Sequence, residues 1–340
     1  MLSPVTSAES QTCRSEGYRS KTIVDFRYHL VSIIAVFLAL AIGIVVGTAA
    51  LNGPVLDGLR GNIDRLADDK RNLEGDVVVL RRDAEAADDF ALSIAPGLVR
   101  GALEDERVLL VVTPETPADL VDRVTPLLVQ AGATVIGQLD VLPALSDPEQ
   151  TQLIEDLVAE VVPAGLRLPD GEAVERAAVE LAAALVQKPD GDGIDPGEAQ
   201  AVVSAFQEAD LVRFAAEGTD ELRQATTVVV LGAVAPTETP ANEEGVVEQT
   251  MLLLARAFDD RSGGVVVAGP TGSDAPDGLV RLLRTDAGLA ARVSTVDNAE
   301  RGVGAVAIVQ ALAEQLRGDS GQYGASPGAT GPLPETASAP

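Results

Sequence analysis

The side chains able to do catalytic work in this chain are few, and their positions rule out most chemistry. There is one histidine, His29, and one cysteine, Cys13. A Ser-His or Cys-His nucleophilic pair needs its base inside the folded domain. His29 instead abuts a long apolar run, so no such pair can form beyond that run. A zinc site of His and Cys is excluded there for the same reason. One cysteine also leaves no intrachain disulfide. The adjacent carboxylates Asp88-Asp89, Glu243-Glu244 and Asp259-Asp260 lie mostly at helix ends and read as surface charge. No catalytic, cofactor-binding or metal-ligating residue is assigned, and the expectation is a non-enzymatic protein.

Two loop motifs have partial resemblance to ligand sites. Gly269-Pro-Thr-Gly-Ser-Asp274 follows a strand and precedes a helix, where backbone amides could hold a phosphate. It matches neither G-x-x-x-x-G-K-[ST] nor G-x-G-x-x-G, and carries no Lys or Arg. Thr113-Pro-Glu-Thr116 and Pro236-Thr-Glu-Thr239 fill equivalent turns and also lack a base. Asp190-Gly-Asp-Gly-Ile-Asp195 resembles part of a calcium loop, but Ile194 stands at position 5 and Ala201 at position 12, where oxygen ligands belong. It reads as a solvated acidic loop.

The elements that carry these residues begin with an anchor. Residues 31–51 hold no Asp, Glu, Lys or Arg. A helix of about 20 such residues spans a bilayer core. A signal-peptide apolar region is shorter, about 7–15 residues, so an uncleaved anchor is expected. Lys21 and Arg27 stand closer to the run than Arg60 does, and a long folded domain translocates regardless of nearby charge. The expected topology has residues 1–30 cytoplasmic and the C-terminal bulk extracytoplasmic, in the cell membrane with a single pass. The change of texture at Val24 marks an alternative start, in which case Cys13 would be absent.

A stalk follows over residues 53–93. Leu56, Ile63, Lys70, Val77 and Ala84 fall on the a positions of a heptad, and Leu59, Leu66, Leu73, Leu80 and Ala87 on the d positions. Leu at d with Ile or Val at a favours a parallel dimer, and a lone charged Lys70 at a can fix register. The expected interface is Leu56, Leu59, Ile63, Leu66, Lys70, Leu73, Val77 and Leu80, in a homodimer through residues 56–90. Asp76 and Arg81 would attract across such a dimer, whereas Asp69 with Glu74 and Asp83 with Asp88 would repel. The seam is therefore open to a coiled-coil protein partner as well. The helix is expected to end near Ser93, before Pro96-Gly97.

Residues 101–317 alternate apolar strands with helices. Strands are expected at 107–113, 133–137, 226–231, 264–268 and 292–296. Helices are expected at 117–131, 149–161, 171–187, 197–216, 243–258, 276–287 and 300–316. Two related strand-helix-strand units are suggested, each with its helix closed by an Ala-Gly pair, Ala131-Gly132 and Ala287-Gly288. Strands apolar throughout imply a mostly parallel sheet covered on both faces. The fold class is α/β: a single transmembrane helix, a long coiled-coil helix, and a Rossmann-like domain without a nucleotide motif. Residues 318–340 are rich in Gly, Ser, Pro and Ala and read as disordered. Net charge is −27, from 25 Lys plus Arg against 52 Asp plus Glu, which excludes nucleic acid as a partner.

The stretch from Asp25 to Gly47, with Arg27, His29 and Ser32 ahead of Ala35-Val-Phe-Leu-Ala-Leu-Ala-Ile-Gly43, resembles the actinobacterial MctB family. The order of elements matches from about residue 24 to 317. The resemblance implies copper transport or homeostasis. It also implies kinship with SteB-like septal membrane proteins, which act with a partner through coiled-coil contacts to control a peptidoglycan hydrolase. Copper(I) favours thiolate and thioether ligands, then imidazole. Beyond the initiator the inventory is Cys13, His29 and Met251, so copper enters only by resemblance. The expected role is a dimerising envelope scaffold or regulator, with a copper component as the alternative.

Overall fold

The computed structural model describes residues 24–52, 54–187, 193–216, 222–234 and 245–335. The chain divides into two compact units, Met1–Leu80 and Arg81–Pro340. The first unit holds helix α1 (Val24–Asn52) and the leading part of helix α2 (Pro54–Val99). Within α1, Phe26–Thr48 has a mean hydropathy of 2.9 and none of it is buried against the rest of the chain. A helix this apolar and this exposed is stable only when something other than water surrounds it, and its length suits a membrane.

The second unit opens with the remainder of α2. The helix does not stop near Ser93 but runs through Pro96-Gly97 to Val99. Proline costs an intrahelical hydrogen bond, yet Ala95 and Val99 on either side are fully buried. Packing of that face outweighs the local breaker. The chain then turns at Gly101, in the left-handed region that glycine favours.

Next come β1 (Arg107–Val112), α3 (Ala118–Gln130) and β2 (Thr134–Val141). Two 3₁₀ turns at Pro143–Ser146 and Pro148–Gln150 lead into α4 (Thr151–Val161), α5 (Ala173–Leu185) and α6 (Pro196–Glu208). The predicted helix over 197–216 is cut short. Asp210 takes a positive φ of 53°, and β3 (Val212–Ala216) pairs antiparallel with β2. β4 (Thr227–Leu231), α7 (Val246–Arg261) and β5 (Val265–Ala268) follow.

The predicted helix over 276–287 is two helices, α8 (Leu279–Thr285) and α9 (Ala287–Ala290). Asp286 separates them in extended geometry and accepts the amides of Gly288 and Leu289. Ala287-Gly288 therefore starts a helix instead of closing one. Ala131-Gly132 does close α3, with Gly132 at φ 98°. The chain finishes with β6 (Ser294–Val296), α10 (Gly302–Gln315) and β7 (Gln322–Tyr323).

The sheet order is β3-β2-β1-β4-β5-β6-β7, parallel except at β3. Alternate residues of each strand face opposite cores. Leu109, Val111, Val228, Val230, Val265 and Val267 pack against α4 to α9. Val108, Leu110, Val229, Leu231 and Val266 pack against α3, α10 and the Ala95 and Val99 turn of α2. Both faces being covered explains why these strands read as unbroken apolar runs.

Residues 318–335 are not loose. β7 extends the sheet beside β6 and Tyr323 is buried. The tail's polar composition hid this because its fastening lies elsewhere, on α8 and on the turn after β6.

Candidate functional site

Three features have the geometry to engage something. The first is the α2 seam. Leu59, Ile63, Leu66, Leu73, Val77 and Leu80 are all exposed, Leu66 to 70%. Leu56 lies outside the described side chains. A row of apolar residues open to water on a helix is an association surface by default. Lys70 makes an ion pair along its own helix with Glu74 at 3.5 Å, both well exposed. Arg71 pairs in the same way with Asp68.

Beyond Leu80 the same helix turns its apolar face inward. Ala91, Ala95 and Val99 are buried. Arg301 donates to the Ala84 carbonyl and pairs with Asp88 at 3.1 Å, and Asp88 accepts the Gly302 amide. Asp88 is thus engaged by its own domain, which removes one of the two repulsive pairs expected across a dimer. Small residues at 84, 91 and 95 allow the close approach.

The second feature is a crevice of about 970 Å³ beyond the carboxyl ends of β1, β2 and β4. Helix α3 leaves β1 toward one face of the sheet, and α7 leaves β4 toward the other. That divergence is the topological switch point at which doubly wound sheets bind ligands. Thr113 closes β1 and hydrogen-bonds Thr116, whose hydroxyl donates to the Leu231 carbonyl across the strand ends. The walls include Ala144, Val234, Val247, Met251 and Leu279, and the rim carries Glu115, Asp147, Glu149 and Glu248. Among the described residues, no Lys or Arg lines it.

The third feature is a buried ionic clasp. Arg284 donates to Thr295, Asp297, Ser326 and the Tyr323 carbonyl, and it approaches Asp274 at 3.5 Å. Asp297 also accepts the amides of Ala325 and Ser326 and the Ser326 hydroxyl. Burial alone would raise the Asp297 carboxyl. The Ser326 hydroxyl, the Ala325 amide and the Arg284 guanidinium together hold it below the usual carboxylate range. These partners are all internal to the chain, so the clasp fastens the tail.

The loop motifs are also engaged from within the chain. In the Gly269 to Asp274 turn, the Thr271 amide and hydroxyl both bond the Glu300 carboxylate. A carboxylate of the chain itself thus occupies the place a phosphate would take. Asp195 accepts the amides of Gly197 and Glu198 and caps α6. Residues 190–192, Pro236-Thr-Glu-Thr239 and Glu243-Glu244 lie outside the described residues. Asp259 and Asp260 both pair with Arg292.

One buried acid went unnoticed in the sequence. Glu180 in α5 is 0% exposed, and neither carboxylate oxygen has a hydrogen-bond partner. Desolvation pushes its pKa to about 7, against a smaller opposing pull from Arg176. A glutamate on an otherwise Ala-rich helix gave no signal of burial.

Of the soft donors, Cys13 lies outside the described residues, His29 is exposed on α1, and Met251 is buried at the crevice. Among the described residues, no cluster of three or more His, Cys, Asp or Glu could hold a metal.

Residues 23–334 match the family described as "Copper transport outer membrane protein, MctB". The chain is 28% identical over 320 residues to "Copper transporter MctB" of Mycobacterium tuberculosis (strain ATCC 25618 / H37Rv), covering 90% of this chain and 98% of that protein. It is 29% identical over 323 residues to the protein of the same name from Mycobacterium leprae (strain TN), covering 91% and 98% respectively.

Proposed function

The chain belongs to the MctB family, and on that footing we propose that it is a membrane-anchored, non-enzymatic envelope protein that pairs with a second copy through α2. Its α/β domain then serves as a scaffold or regulator of cell-envelope partners, in the manner of SteB-like proteins that govern peptidoglycan hydrolysis at septation. The N-terminus is cytoplasmic and the bulk extracytoplasmic. The observation that carries the reading is the run of exposed Leu, Ile and Val at heptad spacing from Leu59 to Leu80. A partner helix would remove that apolar surface from water at about 25 cal/mol per Å².

Light scattering on residues 54–340 tests it. A dimer that becomes a monomer in the Leu66→Asp, Leu73→Asp double variant is expected. A wild-type monomer at micromolar concentration would sink the self-pairing.

The family's name favours a second reading, copper transport or homeostasis. It calls for soft ligands, and beyond the initiator those of this chain are Cys13, His29 and Met251. Stoichiometric copper(I) binding by the full chain, lost on their replacement, would establish this reading over the first.

A further inference from the structure

We propose that the domain-packed end of α2 pairs with a second copy of this chain through Phe90, Ile94 and Leu98, with Asp83 of each copy meeting Arg301 of the other. The inference rests on the pairing of α2 put forward above and extends it to residues outside the seam.

The starting observation is a surplus of apolar surface. A helix lying on its own domain needs one apolar arc, about 100° wide. The last turns of α2 carry two rows, one residue apart. Ala91, Ala95 and Val99 form the first and are buried. Phe90, Ile94 and Leu98 form the second and are 65%, 41% and 47% exposed. Residues four apart line up as a ridge on one side of a helix, so these three make one strip. Exposed Ala87 extends it, and Ala87, Phe90, Ile94 and Leu98 stand three, four and four residues apart. That is the spacing of a stutter, at which paired helices unwind and run straighter.

What covers the strip follows from charge. In a parallel pair, a g residue of one helix faces an e residue of the other. Asp83 stands at g and Asp88 at e, which alone would repel. The fold reverses the sign at e. Arg301 pairs with the Asp88 carboxylate at 3.1 Å and donates to the Ala84 carbonyl one turn earlier. The Gly302 amide, at the start of α10, also donates to Asp88. Arg301 thus lies along the e edge of α2, with 35% of its side chain exposed. Asp83 is exposed as well. A carboxylate of one copy therefore faces a guanidinium of the other, and two-fold symmetry makes the match twice. A second copy supplies both halves of that match, which is why it, and not an unrelated helix, belongs on the strip.

Sedimentation equilibrium of the full chain in density-matched detergent micelles reads the dimer dissociation constant. The Phe90→Asp, Ile94→Asp double variant should weaken the dimer by about tenfold or more, with the circular dichroism spectrum of wild type. Asp83→Lys should weaken it by about fivefold, whereas an Asp88 without Arg301 would make the same change tighten it. Asp89→Lys, an equal charge change at the outward f position, should leave it unaltered. A double variant that dimerises like wild type, or a tighter Asp83→Lys dimer, would overturn the inference and leave the seam standing. A wild-type chain that stays monomeric would overturn both. Ile94→Cys in a Cys13→Ala background, treated in membranes with a short bismaleimide, identifies the occupant. An adduct of twice the chain's mass is expected, and an adduct of any other mass would put a different protein on the strip and overturn the assignment.

Discussion

Asp88 of α2 accepts the backbone amide of Gly302, the first residue of α10, at 3.0 Å. The fit requires glycine. A Cβ at position 302 would lie 2.8 Å from the Asp88 carbonyl oxygen and 3.2 Å from the Ala91 Cβ. Gly302→Val should therefore pry the end of α2 from its domain and cost about 2–4 kcal/mol. Asp88→Ala, which removes a cap and an ion pair but leaves the fit, should cost about 1–2 kcal/mol. Urea denaturation of both variants checks the ranking, and a larger loss for Asp88→Ala would refute the steric account.

In the proposed dimer, Lys70 interrupts the seam with a charge at an a position. Replacing it with Ile should raise the thermal stability of the proposed dimer, while admitting trimers or larger assemblies. Analytical ultracentrifugation distinguishes a tighter dimer from a mixture. No change in either mass or stability would mean that Lys70 does not face a partner helix.

Glu180 makes stability fall as pH rises. Its folded pKa of about 7 lies above the ordinary 4.5, so its favourable protonated form is fully present below pH 4.5 and is lost as pH climbs through 7. The loss amounts to about 3 kcal/mol at the upper end. Glu180→Gln should flatten that decline and leave the protein more stable than wild type at about pH 8. Parallel denaturation curves for wild type and variant at both pH extremes would refute it.

The sheet was legible for a physical reason. β1, β4 and β5 are buried on both faces, so burial itself demanded continuous apolar runs. β3 was not legible because an edge strand of the pattern Val-Arg-Phe-Ala-Ala follows α6 with neither Gly nor Pro between, and a left-handed Asp210 makes the break. The continuation of α2 past Pro96 depends on what Ala95 and Val99 touch, which no local rule encodes. The crevice was invisible for the same reason: its rim gathers Glu115, Glu149 and Glu248 from three separate loops and helix starts. The exposed apolar run of α2 was readable, because a heptad is written in one stretch of chain.

The tail's fastening is electrostatic and should fail on removal of one partner. Arg284→Met leaves Asp297 buried without its cation, while Asp274 keeps Arg281, a change of about 3–5 kcal/mol. Because the Asp297 carboxyl is held below its usual range, wild-type stability from the clasp is present at neutral pH and is lost as pH falls through that lowered value. Limited trypsin digestion at neutral pH should cut after Arg317 in Arg284→Met and spare that bond in wild type. Equal resistance of the two at neutral pH would show that the clasp does not hold the tail.

β7 closes one side of the sheet, and the strand beyond it returns through the bridge of Tyr323 to Gly331. On the opposite side, the Phe214 amide, which would face outward from β3, donates to the Gln207 side chain. Among the described residues, each margin of the sheet is thus partly occupied from within the chain: one outward amide of β3 is taken by a side chain, and the end of β7 is met by a bridge. Fewer open ladder positions leave less purchase for strand recruitment by a passing extended segment.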